Sequence, residues 1–128
     1  MYCLRNHHMN LSQKQCVLSY VKRKYDTIPD HPFHYFPDYI ALRHEDRETW
    51  FGLIMNVPRQ TLKLSEGGNI DILDVKCRPE HIQDYLTTEG IVPAYHMNKA
   101  HWISILLDGS VSDALIENLI DASFELTL

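Results

Sequence analysis

Residues 95–102 hold the chain's densest group of side chains that could bind another molecule. The segment leads directly into an apolar run, residues 103–107, which predicts a buried strand. Imidazole, carboxamide and ammonium groups donate hydrogen bonds, and such donors contact phosphates and base edges in complexes with nucleic acids. The candidate binding residues are His96, Asn98, Lys99, His101 and Trp102, together with Arg43 near the end of another predicted strand.

The same segment also fits a purely architectural role. Trp102 would then cover the hydrophobic core where the strand begins, and Asn98 would close a turn by bonding its own backbone. His96 and His101 would hold the loop by bonding to carbonyl groups. The residue types allow both the recognition role and the architectural one, so the sequence leaves the two alternatives open.

The sequence contains no complete catalytic or metal-binding pattern. His96 and His101 are spaced so that they do not stack on one helix face, and no carboxylate or cysteine lies beside them. Ser104 and Ser110 lack the context of a catalytic nucleophile, and no glycine-rich phosphate loop is present. We therefore expect a protein without enzymatic activity, cofactor or metal ion.

The formal net charge of −5 comes from the C-terminal end of the chain. Only acidic charged residues follow residue 107, whereas acidic and basic residues balance before it. Affinity for nucleic acid comes mainly from neutralising phosphates, so an acidic total argues against binding by the whole surface. It leaves open binding on one local face, provided that the acidic C-terminal segment is turned away from the ligand.

The cysteines and the apolar pattern bear on the cellular compartment. Cys3, Cys16 and Cys77 are widely spaced and form no CxxC pair, so we expect reduced thiols rather than a disulfide framework. No apolar run approaches the ~20 residues that a membrane-spanning helix requires. Residues 1–10 also lack the apolar centre of a signal peptide. These features predict a cytoplasmic protein with no membrane partner.

Capping residues and apolar periodicity divide the chain into helices and strands. Ser12 and Gln15 form a capping box at the start of the first helix. Pro79 suits the first turn of the second helix, and Ser110 is the expected N-cap of the third. Residues 26–38 hold three prolines and several aromatic side chains, which predict a loop held against the core. The predicted strands are residues 39–43, 50–57, 70–75, 91–95 and 102–107.

The element order α-β-β-β-α-β-β-α predicts an α+β fold. Strands joined by short turns form an antiparallel sheet, and the helices pack against it. We therefore expect a two-layer sandwich in which an antiparallel five-stranded sheet carries its helices on one face. Residues 1–11 are expected to form a loose N-terminal extension and residues 12–128 a single domain.

Several motifs of the chain resemble those of the MmcQ/YjbR family. They are residues 36–39, 50–55 and 71–77, and above all residues 96–102 with the later Asp108–Gly109 turn. The resemblance implies an α+β domain similar to CyaY-like and secretion-chaperone-like proteins, and it brings no catalytic residues. A double-wing shape shared with some DNA-binding domains implies a role in DNA binding.

Two functions follow as expectations. The first is a small DNA-binding module that uses residues 95–102 and the nearby strand ends, with a positive patch around Lys99. The alternative is a protein-interaction or chaperone-like domain that uses exposed apolar surface and does not bind nucleic acid.

Overall fold

The computed structural model describes residues 11–45, 48–65 and 67–128. Its helices are α1 (Gln13–Tyr25), α2 (Pro79–Tyr85) and α3 (Asp113–Leu126). Its strands are β1 (Ile40–Arg43), β2 (Trp50–Pro58), β3 (Asn69–Lys76), β4 (Ile91–Pro93) and β5 (Trp102–Leu106), with a 3₁₀ helix, Arg59–Leu62, after β2. The predicted order of helices and strands is confirmed, and each predicted strand ends within two residues of an observed one.

The strands form one open antiparallel sheet in the order β1-β2-β3-β5-β4. The register brings the end of β3, the end of β4 and the start of β5 to the same end of the sheet. There Lys76 pairs with Trp102, and Pro93 pairs with Ile103. The loop that joins β4 to β5 therefore lies at this end, next to the residues that follow β3.

The two edge strands expose few backbone N–H and C=O groups to pair with another strand. β4 is three residues long and ends in Pro93, which has no N–H to donate. Beside β1, the backbone of Asp30 exchanges hydrogen bonds with Ala41, with N···O distances of 3.3 and 2.8 Å. Asp30 belongs to the segment of residues 26–38, which we call the proline-rich segment. This segment thus covers part of the outer edge of β1.

One face of the sheet is covered by helices. Its strand side chains include Leu42, Ile54, Leu73, Val75, Ile103 and Ile105, and the helix side chains packed on them include Val17, Val21, Ile82, Ile116, Leu119 and Ile120. Burying one such side chain contributes about 1.5–3 kcal/mol. The predicted arrangement, with the helices on one face of a five-stranded antiparallel sheet, is confirmed.

The opposite face, which we call the helix-free face, is covered by loops. Its buried side chains come mainly from β2 and β3 and include Leu53, Met55, Val57, Ile70 and Ile72. Three segments lie over them: the proline-rich segment, the turn after β2, and the β4–β5 loop. They contribute Phe33, Leu62, Leu64, Tyr95 and Met97. The expectation that the proline-rich segment is held against the core is confirmed.

The caps of α1 and α3 show one success and one error of the sequence prediction. Ser12 Oγ accepts from the N–H of Gln15 at 3.1 Å, and Gln15 Oε1 accepts from the N–H of Ser12 at 2.9 Å. The N-cap of α3 is Ser112 rather than Ser110. Ser110 instead donates its hydroxyl to Asp108 Oδ1 at 2.5 Å, so that hydroxyl stabilises the preceding turn.

The cysteine prediction is confirmed at one position and wrong at another. Cys77 is a buried free thiol. Cys16, in contrast, is disulfide-bonded, although its wide spacing from the other cysteines suggested a reduced thiol. Cys3 and the predicted N-terminal extension up to residue 10 lie outside the described residues. None of the helices in the described ranges has the length and apolar character needed to cross a membrane.

One carboxylate, Asp121, joins α1 to α3. It accepts hydrogen bonds from Tyr20 Oη at 2.8 Å, Tyr25 Oη at 2.6 Å and Lys24 Nζ at 2.9 Å. Burial alone would raise the pKa of Asp121, but these hydrogen bonds and the charge of Lys24 together lower it below its ordinary value. Burial and the Asp121 carboxylate raise the pKa of both tyrosines, so both phenols remain donors.

We expect Asp121→Asn to destabilise the fold by about 2 kcal/mol at neutral pH, because two phenols and an ammonium lose a charged acceptor. A carboxylate with a lowered folded pKa contributes stability that is present above its unfolded pKa, about 4, and is lost as the pH falls further. The difference between wild type and D121N in urea unfolding should therefore shrink between about pH 5 and pH 3. Glu125→Gln, at an exposed position of the same helix, is the matched control. Equal losses for both variants would contradict this role of Asp121.

Candidate functional site

The β4–β5 loop, residues 94–101, is fixed to the sheet at both ends. At its start, the N–H of Tyr95 donates to Ser104 Oγ at 2.9 Å, and the Tyr95 ring packs on the helix-free face. At its end, the carbonyl of His101 accepts from the N–H of Cys77 at 2.9 Å. The loop therefore presents its polar side chains from a well-anchored backbone.

Asn98 closes the turn at the tip of this loop. Its Oδ1 accepts from the N–H of Ala100 at 2.7 Å, and its carbonyl accepts from the N–H groups of His101 and Trp102 at 3.1 and 2.9 Å. An asparagine that bonds to the backbone two residues later is a common turn device. This is the turn that the architectural alternative assigns to Asn98. Its carboxamide oxygen is used within the loop, while the residue itself remains exposed.

His101 and Trp102 lie where the loop enters β5. The side chain of His101 is exposed, whereas Trp102 is half-buried and pairs with Lys76 of β3. Because side chains alternate along a strand, Trp102 lies on the same face as Ser104, which is the helix-free face. The structure thus brings together the five predicted residues between His96 and Trp102, all at one end of the sheet.

Arg43 is not brought together with these residues. It ends β1, three strand positions away from β5, which corresponds to about 14 Å across the sheet. Its guanidinium forms ion pairs with Asp30 and with Glu48, the latter at 3.0 Å. Two carboxylates therefore already neutralise the charge that was expected to extend the binding surface.

Lys99 lines a groove between the β4–β5 loop and the turn after β2. The groove has a volume of about 320 Å³, and we call it the lysine groove. Its lining consists of Thr61, Leu62, Lys63, Val92, Pro93, Ala94, Tyr95 and Lys99, none of which is acidic. Lys63 and Lys99 are both exposed, and neither forms an ion pair with a residue in the described ranges. The groove is therefore suited to an anionic ligand.

His96 and Met97 line a second recess on the other side of the same loop. We call it the aromatic pocket; its volume is about 240 Å³ and its lining is Phe33, Phe36, Trp50, Leu53, His96 and Met97. The ring centroid of His96 lies 6.4 Å from that of Phe36 and 6.1 Å from that of Tyr39. His96 has a φ of 72°, a left-handed conformation that costs a non-glycine residue about 1–2 kcal/mol. The packed rings around it hold the exposed imidazole at the rim of this pocket.

A buried carboxyl group, Asp74, lies beneath the β4–β5 loop. It is fully buried on β3 and accepts a hydrogen bond from Ser104, whose Oγ in turn accepts from the N–H of Tyr95. Asp74 Oδ2 has no hydrogen-bond partner among the described residues. Burial raises the pKa of Asp74 to about 8, although the Ser104 hydrogen bond and the charge of Lys99 act in the opposite direction. At neutral pH this carboxyl group is therefore mostly uncharged.

The sequence reasoning missed Asp74 and the role of Ser104, although a signal was present. Ile70, Ile72 and Asp74 alternate along a predicted strand, so all three side chains lie on one face. With Ile70 and Ile72 buried, the alternation predicts a buried carboxyl group at the third position. The partner of that carboxyl group was not predictable, because Ser104 comes from a strand 30 residues away in the chain.

A cavity of about 640 Å³ lies between the ends of α1 and α3 and the end of β1. Its charged lining residues are Asp26, Asp30, Arg43, Glu45 and Glu48. Carboxylates outnumber cations here, so this cavity is less suited to an anion than the lysine groove. Within the part of the chain that the structure describes, no three His, Cys, Asp or Glu side chains are arranged to hold a metal ion.

We expect Asp74→Asn to stabilise the fold at pH 8 by several kcal/mol, up to about 5 kcal/mol for a pKa raised from about 4 to about 8, and to have little effect at pH 4. An acid with a raised folded pKa holds a proton that the unfolded chain releases above about pH 4. Wild-type stability should therefore decline as the pH rises from about 4 to about 8 and then level off. Urea unfolding of both proteins across this range measures the difference, with Asp71→Asn on the same strand as control. A constant difference between wild type and D74N would contradict a protonated Asp74.

A family model described as YjbR matches residues 22–126 of the chain. The uncharacterized protein YyaQ of Bacillus subtilis is 46% identical over 114 residues, which cover 89% of this chain and 97% of that protein. The uncharacterized protein YjbR of Escherichia coli K12 is 52% identical over 33 residues, which cover 26% of this chain and 28% of that protein.

Solved structures show the same fold. The crystal structure of a Pseudomonas syringae protein matches with a TM-score of 0.88 and 42% identity, covering 90% of this chain and 98% of that one. A Deinococcus radiodurans protein, 20% identical, matches with a TM-score of 0.68 over 90% of this chain and 78% of that one. Because the family model spans most of the chain and YyaQ matches it over nearly its whole length, the chain belongs to the YjbR family.

Proposed function

We propose that this protein is a small module that binds nucleic acid, with the phosphate backbone lying along the lysine groove. One observation carries the proposal: Lys63 and Lys99 share a groove that is not lined by any carboxylate among the described residues. An ammonium group that forms no ion pair within the protein contributes most to the free energy of binding a phosphate, because no existing ion pair must be broken. Tyr95 in the same groove adds a ring face.

The position of the acidic helix supports the proposal. α3 carries Asp113, Glu117, Asp121 and Glu125, and its apolar residues pack on the helix-covered face of the sheet. The apolar residues of the lysine groove pack on the helix-free face instead. The sheet therefore separates the acidic helix from the groove, which is the condition that an acidic protein must meet to bind a polyanion locally.

The protonation of Asp74 also supports the proposal. A charged carboxylate beneath the β4–β5 loop would offset the charge of Lys99. Burial instead holds the pKa of Asp74 near 8, so the groove keeps its positive potential at neutral pH. The implied similarity to CyaY-like and double-wing domains agrees with this function at the level of the fold, which is a weaker argument than the site itself.

A second function, protein interaction, is favoured by a different observation. Ile28 is 75% exposed and Leu128 is 58% exposed, and both line the cavity between the ends of α1 and α3. Exposed aliphatic side chains that lie together can form part of a contact with another protein. We place this function second because the carboxylates around that cavity weaken its apolar character.

We expect Lys63→Ala and Lys99→Ala each to weaken binding of random-sequence DNA by about 3- to 10-fold at low salt, because each removes one phosphate contact. The double variant should reduce the slope of log K against log salt by about 1–2. Fluorescence anisotropy with single-stranded and duplex DNA measures both quantities.

Lys22→Ala is the matched control, since Lys22 is an exposed lysine on α1, which packs on the helix-covered face. It removes the same charge, so a loss caused by net charge alone would appear equally in this variant. Equal losses for Lys22→Ala and Lys99→Ala would contradict the lysine groove as the site. An absence of binding by the wild type at low salt would overturn the proposed function and favour protein interaction.

The affinity for DNA should also depend on pH through Asp74. As the pH rises past about 8, Asp74 ionises beneath Lys99, and we expect binding to weaken by about threefold. Asp74→Asn has no charge to gain, so its affinity should stay constant over the same range. Parallel titrations at pH 7 and pH 9 measure the effect, and an equal decline in both proteins would exclude Asp74 as its source.

A further inference from the structure

We infer that the aromatic pocket receives one unstacked base of a single-stranded nucleic acid while the neighbouring phosphates lie on the lysine groove. This inference rests on the proposed function and deepens it, because it names the form of nucleic acid that the site selects. Three observations carry it: the flat walls of the pocket, the absence of formal charge from the described residues that line it, and its position beside the lysine groove.

The walls of the pocket are rings that other rings hold in place. Phe36 stacks on Tyr39 with ring centroids 4.7 Å apart and ring planes 13° apart. Phe33 stands edge-on to Trp50, with centroids 5.7 Å apart and an interplanar angle of 90°. Despite the stacking, Phe36 is 48% exposed, so much of its ring is available to a ligand. Base–aromatic stacking tolerates any base, because every base presents a flat π-face.

The size and chemistry of the pocket fit a base better than a larger ligand. Its volume of about 240 Å³ lies below the ~300–1,000 Å³ that is usual for drug-sized ligands. Asp, Glu, Lys and Arg are absent from its described lining. The polar side chain at the rim is His96, whose ring nitrogens can donate to or accept from the edge of a base. The Met97 sulfur adds a soft contact for a ring edge.

The pocket and the groove share one loop. His96 and Met97 line the aromatic pocket, whereas Tyr95 and Lys99, their neighbours in the chain, line the lysine groove. Sites for a base and for a phosphate therefore lie on two sides of a loop segment only five residues long. A flexible single strand can place a base in one site and its phosphates in the other, as in proteins that combine a basic groove with stacking rings.

The aromatic pocket should bind single-stranded and duplex ligands with different affinities. A base in a duplex must leave its pair and its stack before it can enter a pocket, and this opposes binding. An unpaired base meets no such barrier. The pocket should therefore favour single strands, whereas a purely electrostatic face would favour duplex DNA, which carries the higher charge density.

The test compares three fluorescent ligands of equal length by anisotropy: single-stranded oligothymidine, the same sugar–phosphate backbone without bases, and a duplex. We expect the wild-type protein to bind oligothymidine about 10-fold more tightly than the abasic strand, the difference that one stacked base makes. Phe36→Ala should remove most of this preference. Tyr35→Ala is the matched control, because Tyr35 is 87% exposed and does not line the pocket.

Each outcome separates this inference from the proposed function. Equal binding of oligothymidine and the abasic strand by the wild type would overturn the base pocket. This comparison uses only the wild-type protein, so it does not depend on whether a variant folds. Tighter binding of the duplex than of the single strand would overturn it as well. In both cases, weaker binding by Lys99→Ala than by Lys22→Ala would still support the lysine groove. If none of the three ligands binds at low salt, the proposed function fails and the base pocket fails with it.

Discussion

The sheet has two apolar faces, and its helices cover only one of them. Leu53, Met55 and Ile72 are fully buried on the other face, and exposing each would cost about 1.5–3 kcal/mol. Loops must therefore fold back over these side chains. The proline-rich segment, the turn after β2 and the β4–β5 loop all do so, and each uses apolar residues as anchors. The polar residues between those anchors are consequently held at fixed positions on the surface.

The lysine groove and the aromatic pocket are products of this covering. Lys63 follows Leu62 in the turn after β2, and Lys99 lies beyond the anchors Tyr95 and Met97. Because loops cover the face less completely than a helix would, recesses remain between them. The same covering buries Asp74, whose carboxyl group is linked through Ser104 to the backbone of the β4–β5 loop. Stability and the proposed binding on this face thus depend on the same few contacts.

Features that depend on neighbouring residues were predictable from the sequence, and features that depend on strand order were less so. The capping box of Ser12 and Gln15 spans one helical turn, and the structure confirms it. Ser110 and Ser112 both precede α3, and the choice between them depends on Asp108, which bonds the Ser110 hydroxyl. Arg43 was expected to lie near the β4–β5 loop because both are at strand ends. The strand order β1-β2-β3-β5-β4 separates them. The alternation of side chains along each strand does not reveal that order.

The edges of the sheet limit the kinds of partner that this protein accepts. A free strand edge pairs with extended peptides or with other copies of a chain through its backbone, whatever their sequence. Here β4 offers three residues and ends in Pro93, and Asp30 already occupies part of the edge of β1. Backbone pairing is thus largely closed to partners on both sides. The proposed recognition therefore uses side chains, such as the exposed ring of Phe36, rather than backbone pairing.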